Sequence, residues 1–414
     1  MDIRPFAAIH PRPDLMAQVA ALPYDVVSPQ EARDAVAAHP KSFLAIDLPA
    51  ETGFPADKDP YAPEVYQRAQ ELFSAAMESG DYVQDAEPHY YIYQLEDGER
   101  SQRGLVCVVG VADYLEGRVK RHENTRVVKE NDRIAHIEAV GAQTGPVFLA
   151  YDDEREDGSL EELLDAASAG EPWADFVDDE GVRNRLWRVD DPWMLGQLST
   201  AAGALECAYI ADGHHRGASA VKVAQRHAGD PDAADDADAF MAVLFPASEL
   251  SILAYNRVVA DRAGLTPAQL LAAVEDAGYT LEPRAEAASP SRQGNFTLYT
   301  DGHWYELFPT PELVARRGAL GAADSLDVAQ LQAEILAPIL SIGDPREDPR
   351  IEFVGGIRGL GALEDAAAEK GVAIACWPTS MEQLMAVADA GELMPPKSTW
   401  FEPKLRSGLV FHKI

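Results

Sequence analysis

An acid, two imidazoles and a guanidinium stand almost side by side at Asp212-Gly213-His214-His215-Arg216. The apolar run before them, "LECAYIA", predicts a buried strand, and "GASAVKVAQRHAG" after them predicts an Ala-rich helix stopped by Gly229. The group therefore sits where a helix begins. That first turn offers unpaired N–H groups and about half a positive charge. Arg216 adds a planar fork of donors, and Gly213 permits a tight turn and close backbone approach. This combination suits phosphate. Asp212 would cap the helix, hold a histidine tautomer or help position magnesium. Two other readings stay open. Asp212 is a plain N-cap beside structural histidines, or His214, His215 and Asp212 ligate a metal, although adjacent histidines on a helix diverge by about 100°.

Phosphoryl transfer asks a protein for positioning, charge neutralisation and a base for the acceptor hydroxyl. Glu123, after Lys120-Arg121-His122, is the candidate base, with His122 beside it; the alternative is an ion pair of Glu123 with Arg121 or Arg126. Arg126, Lys129 and Arg133 recur at spacings of three and four. They form a cationic stripe facing phosphate, or a solvated helix face paired with Glu130 and Asp132. His136 continues that helix. Near the end of the chain, Pro395-Pro396 stiffens the backbone, and Lys397, Ser398 and Thr399 offer an ammonium and two hydroxyls. They bind phosphate, or the segment simply docks a terminal strand. Pro23 to Asp25 is a ligand contact or a Pro-fixed turn.

The elements that must position these residues mix helices and hairpins. Capping boxes are expected at Ser28 to Glu31, Thr266 to Gln269 and Thr379 to Glu382. Helical periodicity covers Val65 to Gly80 and Leu326 to Leu340. Hairpins are expected around Asp97-Gly98 and Asp301-Gly302. Asp152 to Asp157 and Asp230 to Asp238 read as exposed acidic loops, and Pro283 to Asn295 as a polar one. The fold class is α+β (mixed α/β), one interlocked body with sub-regions at 1–95, 96–262 and 263–414, the last returning its "MPPKST" tail to the site.

The 414 residues, 47% hydrophobic, suffice for a large core. No apolar run reaches the length of a membrane span, and the start has no secretory signal. Cys107, Cys207 and Cys376 are isolated thiols, so neither a disulfide framework nor a structural zinc is expected, and a cytoplasmic location fits. The net charge of −34 repels nucleic acid and anionic lipid. Yet Arg118 to Arg133 holds six basic residues against three acids. A positive island in an acidic protein points to a small anionic ligand.

"ADGHHR" at a strand end resembles the phosphate-binding motif of the ParB/sulfiredoxin-like superfamily, above all its free-serine kinases. "RPF", "LPYDVVSP", "RHENT" with "KENDR", "TGPVFLAY" and "MPPKSTWFEPKLRSGL" together resemble domain-of-unknown-function family 1015, nearly end to end. The resemblance implies a ParB/sulfiredoxin-like central region within a larger mixed-sheet body. It also implies Glu123 as the acid that accepts the hydroxyl proton of a small acceptor, free L-serine first. Nucleotide phosphates would be held by Gly213, His214, His215 and Arg216, with Mg²⁺ bridging them. About 60 residues separate "GPVFLAY" from the corner, more than in a minimal member. The readings are thus a small-molecule kinase using ATP or ADP, a non-catalytic nucleotide-binding regulator, and a metal-dependent hydrolase. Oligomeric state is not legible.

Overall fold

Ile3–Arg4 (β1) lies against Arg100–Gly110 (β3), which forms a hairpin with Tyr90–Asp97 (β2). As expected the turn is tight: Asp97 faces Arg100, and Gly98 takes φ +60°. The computed structural model describes residues 1–156, 158–229, 234, 236–367 and 370–414. Asp157 and much of the acidic stretch from Asp230 to Asp238 thus lie outside the described residues. The chain divides into two units, one formed by Met1–Leu250 with Pro403–Ile414 and the other by Ser251–Glu402.

In the first unit the sheet extends from that hairpin through Val119–Lys120 (β4), Val147–Tyr151 (β5), Ala174–Val177 (β6), Arg183–Val189 (β7), Ala208–Asp212 (β8) and Ala239–Pro246 (β9). Their spatial order is β4-β8-β5-β9-β3-β2-β7-β6, with β1 also on β3. β8 runs parallel to β4 and antiparallel to β5, while β5 runs parallel to β9. β5 and β9, inside the sheet, are apolar and buried along their whole length, the pattern of strands covered on both faces. Leu105, Val109, Val147, Leu149, Ile210 and Phe240 belong to one buried cluster.

Pro29–Ala38 (α1) starts at the expected capping box of Ser28 and Glu31. A short turn, Leu44–Asp47 (α2), precedes the predicted helix, Pro63–Glu78 (α3), which Gly80 follows at φ +74°. Val127–Val140 (α4) packs on His214–His227 (α5) through Ile134, Ile137 and Val223.

The second unit opens and closes on paired strands, Ser251–Leu253 (β10) and Trp400–Glu402 (β17). Its sheet contains Tyr255–Val259 (β11), Tyr279–Arg284 (β12), Phe296–Thr300 (β13), His303–Pro309 (β14), Ile351–Gly355 (β15) and Val372–Cys376 (β16), in the order β12-β14-β13-β16-β11-β15. The β13–β14 hairpin turns at Asp301 (φ +53°) and Gly302 (φ +78°), as its Asp-Gly pair predicts. Pro267–Asp276 (α6) carries the expected box of Thr266 and Gln269.

Two helix readings shift. The third box lies one residue later, at Ser380 and Gln383, opening Met381–Asp389 (α8), because the Thr379 hydroxyl donates to the Ser398 carbonyl instead. The run from Leu326 is α-helical only over Asp327–Leu331 (α7) and then π-helical over Gln332–Leu336. Pro338 has no N–H with which to continue an α-helix, and Ala337 N–H reaches back five residues to Gln332 O at 3.0 Å. Mixed helices and sheets in both units make the protein α+β. Among the described residues no helix is long and apolar enough to cross a membrane.

Candidate functional site

The corner forms as the sequence predicts. β8 shifts register between Ile210 and Asp212, a bulge that re-aims the strand end. Gly213 then takes φ +92°, and α5 begins at His214 with no side-chain cap. Asp212 does not cap the helix. One of its oxygens accepts from Gly213 N–H at 2.8 Å; the other lies 3.3 Å from Lys404 Nζ and 3.6 Å from Arg216 Nη2. Burial alone would raise the Asp212 carboxyl, but the ammonium and the guanidinium outweigh it and hold the group well below the usual carboxylate range.

Arg216 is folded inward. It is 8% exposed, and its Nη1 donates to the Pro146 carbonyl. Its guanidinium lies over Gly213, where a Cβ would stand 3.0 Å from Arg216 Cζ, and its Cδ lies 3.1 Å from the place a Cβ would take on Gly145. Arg216 Nε is buried and has no hydrogen-bond partner among the described residues. A small cavity of ≈ 20 Å³ adjoins this guanidinium, lined by Tyr24, Arg133, Thr144, Gly145, Arg216 and Ser407 among others. That is room for about one water.

β4 is the parallel neighbour of β8, so the loop after it leaves the sheet beside the corner. The His122 main-chain N–H points at His214 Nε2 from 3.5 Å, and the two imidazole rings stand edge to face with centroids 4.4 Å apart. Burial keeps both neutral: it lowers His122 to about 4 and His214 well below its ordinary value. His122 Nδ1 is buried and has no hydrogen-bond partner among the described residues. Glu123, next in the chain, is exposed. On the other side the Arg126 N–H points at His215 Nδ1 from 3.4 Å. The structure thus brings His122, Asp212, Gly213, His214, His215, Arg216 and Arg126 together and leaves Glu123 on the adjoining loop.

The cations of α4 divide. Arg126 and Lys129 are exposed. Lys129 Nζ lies 5.9 Å from the Tyr24 ring centroid. Arg133 is buried; it donates to Asp47 at 2.8 Å and to Asp132 at 2.9 and 3.0 Å, and stacks 4.1 Å above Tyr24. Its role here is to tie α4 to α2. His136 is buried and bonds Ile46 O at 3.0 Å. Glu130 accepts from Thr125 and Lys222.

Lys397, Ser398 and Thr399 belong to the second unit. Ser398 is buried and its hydroxyl donates to Pro395 O at 2.6 Å, while Lys397 is exposed at φ +61°. Lys404, buried against Asp212, is not singled out as a site residue by the sequence; its one signal is that Met394 to Arg406 holds Lys397, Lys404 and Arg406 against a single acid, Glu402. Val127 and Val128 are exposed, 67% and 59%, between the exposed cations Arg126 and Lys129. Among the described residues no group of three His, Cys, Asp or Glu is placed to hold a metal ion.

A cation-bearing strand-to-helix corner on the edge of a mixed sheet defines the class: an α+β protein with a candidate site for small anions. The chain belongs to the family described as "Protein of unknown function (DUF1015)", whose match covers residues 3–329. No curated protein matches it. It is similar to solved structures of SbnI with C-terminal truncation from Staphylococcus aureus (TM-score 0.37, 13% identity, 72% of this chain and 84% of that one). It is also similar to a free serine kinase in complex with AMP (0.33, 12%, 72% and 86%). A conserved hypothetical protein from Pyrococcus furiosus gives 0.33 and 13%, with 74% and 95% covered.

Proposed function

We propose that the protein is a small-molecule kinase that moves phosphate from ATP or ADP to a hydroxyl acceptor, with free L-serine the first acceptor to test on the motif resemblance. One observation carries this reading. β4 and β8 are parallel neighbours, so an exposed carboxylate, Glu123, and an uncapped helix start leave the sheet side by side. In this reading Gly213, His214, His215 and the N–H groups of α5, with Arg126 and Lys129, receive the nucleotide phosphates. Val127 and Val128 give the nucleoside an apolar seat. Glu123 accepts the proton of the acceptor hydroxyl as its oxygen attacks the terminal phosphorus, and the bond from that phosphorus to the nucleotide oxygen breaks. Asp212 acts as a positioning residue, fixing Gly213 through its N–H and holding Arg216 and Lys404.

Asp212 faces two cations, and among the described residues no group of three His, Cys, Asp or Glu is placed to hold an ion, so in this reading magnesium would arrive on the nucleotide phosphates. Such an ion would neutralise phosphate charge. The test is incubation of the purified protein with ATP or ADP, magnesium and L-serine, followed by measurement of phosphoserine. Glu123→Gln is expected to lower turnover by about 10²–10⁴-fold while nucleotide binding persists. Full turnover in that variant, or no phosphorylated product from any hydroxyl compound, would overturn the reading.

A second reading rests on the inward fold of Arg216 over Gly213. A non-catalytic module would use nucleotide phosphate to draw that guanidinium outward and so switch conformation. Nucleotide binding with no transfer to any hydroxyl compound is the result that selects it.

A further inference from the structure

Arg257 sits mid-strand in β11, facing Phe353 of β15 and Ile374 of β16. It is 3% exposed. Among the described residues its donors meet main-chain oxygens alone: Tyr255 O, Lys397 O at 3.0 Å and Pro396 O at 3.4 Å. Among the described residues no carboxylate pairs with it. Buried guanidinium groups are ordinarily paired, because leaving water without a counter-charge is costly. Burial accordingly lowers the Arg257 pKa below its ordinary value.

This lone cation lines a cavity of ≈ 260 Å³ within the second unit, together with Leu336, Asp344, Arg346, Phe353 and Pro396. A void of about 150 Å³ already admits benzene, so there is room for a small organic molecule. One wall is apolar: Phe353 lies under the Arg257 guanidinium at 4.9 Å from its ring centroid, and Pro395 and Pro396 lie beside it. Arg346 is an exposed second cation in the lining, against one acid, Asp344, which accepts from the Arg346 main-chain N–H at 2.9 Å. The "PPKST" segment serves this cavity, since its Pro396 and Lys397 carbonyls orient Arg257.

We infer that this cavity is a binding site for a small organic oxyanion, a carboxylate or phosphate ester that meets Arg257 and Arg346 while its apolar body rests on Phe353 and Pro396. The anion supplies the counter-charge that the fold leaves out. This site is independent of the kinase reading, which concerns only the first unit.

Calorimetric titration of the full chain tests it with benzoate, phenyl phosphate and neutral benzamide. At least one of the two oxyanions binds and benzamide does not; which one binds identifies carboxylate or phosphate ester as the source. Arg257→Lys weakens the oxyanion by about tenfold, as expected for loss of a charge-assisted planar fork. Arg346→Gln, at an exposed position that does not threaten folding, weakens it severalfold and decides the matter should Arg257→Lys fail to fold. No binding by either oxyanion, benzamide binding as tightly, wild-type affinity in both Arg346→Gln and a folded Arg257→Lys, or wild-type affinity in Arg346→Gln where Arg257→Lys does not fold would overturn the inference.

Discussion

Asp212 and Lys404 are 192 positions apart, yet their side chains meet at 3.3 Å. Lys404 is the nearest cation to a carboxylate whose charged state the corner depends on. Lys404→Met keeps the stem and removes the charge, leaving Asp212 with the more distant Arg216. Urea unfolding is expected to show a loss of about 1–2 kcal/mol, and Asp212→Asn in the same chain should recover part of it. The corner was legible because its residues are consecutive and their chemistry is local. Lys404 was not, because only the return of the chain at Pro403 brings it there. His122 gives a second test at this scale. Its native value is near 4 because burial opposes the charged form, whereas an unfolded histidine titrates near 6.5. Between those values the unfolded chain binds a proton that the native one refuses, so stability is intact above pH ~6.5 and falls as the pH drops towards ~4. The slope is about 1.4 kcal/mol per pH unit for this group. His122→Asn should flatten the decline between pH 7 and 5 by up to that amount, and an unchanged slope would show that His122 is not the group responsible.

Elements became legible where a few residues dictate a backbone shape. The Asp-Gly hairpins and two of the three capping boxes lie where sequence reasoning puts them, because turns and caps are solved locally. The bulge before Asp212 and the π-turn at Gln332–Leu336 were not read, since each answers to neighbours that the local pattern does not name. Gly213 is where the two kinds of information meet. Its φ of +92° is unfavourable for any residue with a Cβ, and that atom would also press on Arg216 Cζ at 3.0 Å. Gly213→Ala should therefore cost about 1–2 kcal/mol from the backbone alone, with a further loss as Arg216 is displaced. Gly145→Ala meets Arg216 Cδ at 3.1 Å without the positive φ, so it isolates the steric part and should cost less. Paired thermal melts separate the two. Equal losses would mean that the left-handed backbone contributes nothing.

For the whole molecule, the informative feature is where the second unit enters and leaves. Ser251 is directly opposite Glu402 in an antiparallel pair, and antiparallel partners stand only about 4.5–5.5 Å apart. The chain therefore departs from the first unit and returns to it at nearly one point, the geometry of an insertion. No composition shift marks either crossing, "PASELSILAY" and "STWFEPKL" being ordinary apolar-polar mixtures, so sequence alone does not show that Pro403–Ile414 rejoins the first sheet's unit. The second unit also has its own buried cluster, with Val258, Trp304, Val354 and Leu363. Residues 251–402 expressed alone should thus fold with one cooperative transition and retain the oxyanion response of Arg257. The remainder, with Leu250 joined to Pro403 through about four Gly and Ser residues, should keep the Asp212–Lys404 pair, seen as destabilisation by Lys404→Met comparable to that in the full chain. If either piece shows no cooperative unfolding, the two units depend on each other for stability, and the insertion is a matter of chain path rather than of folding.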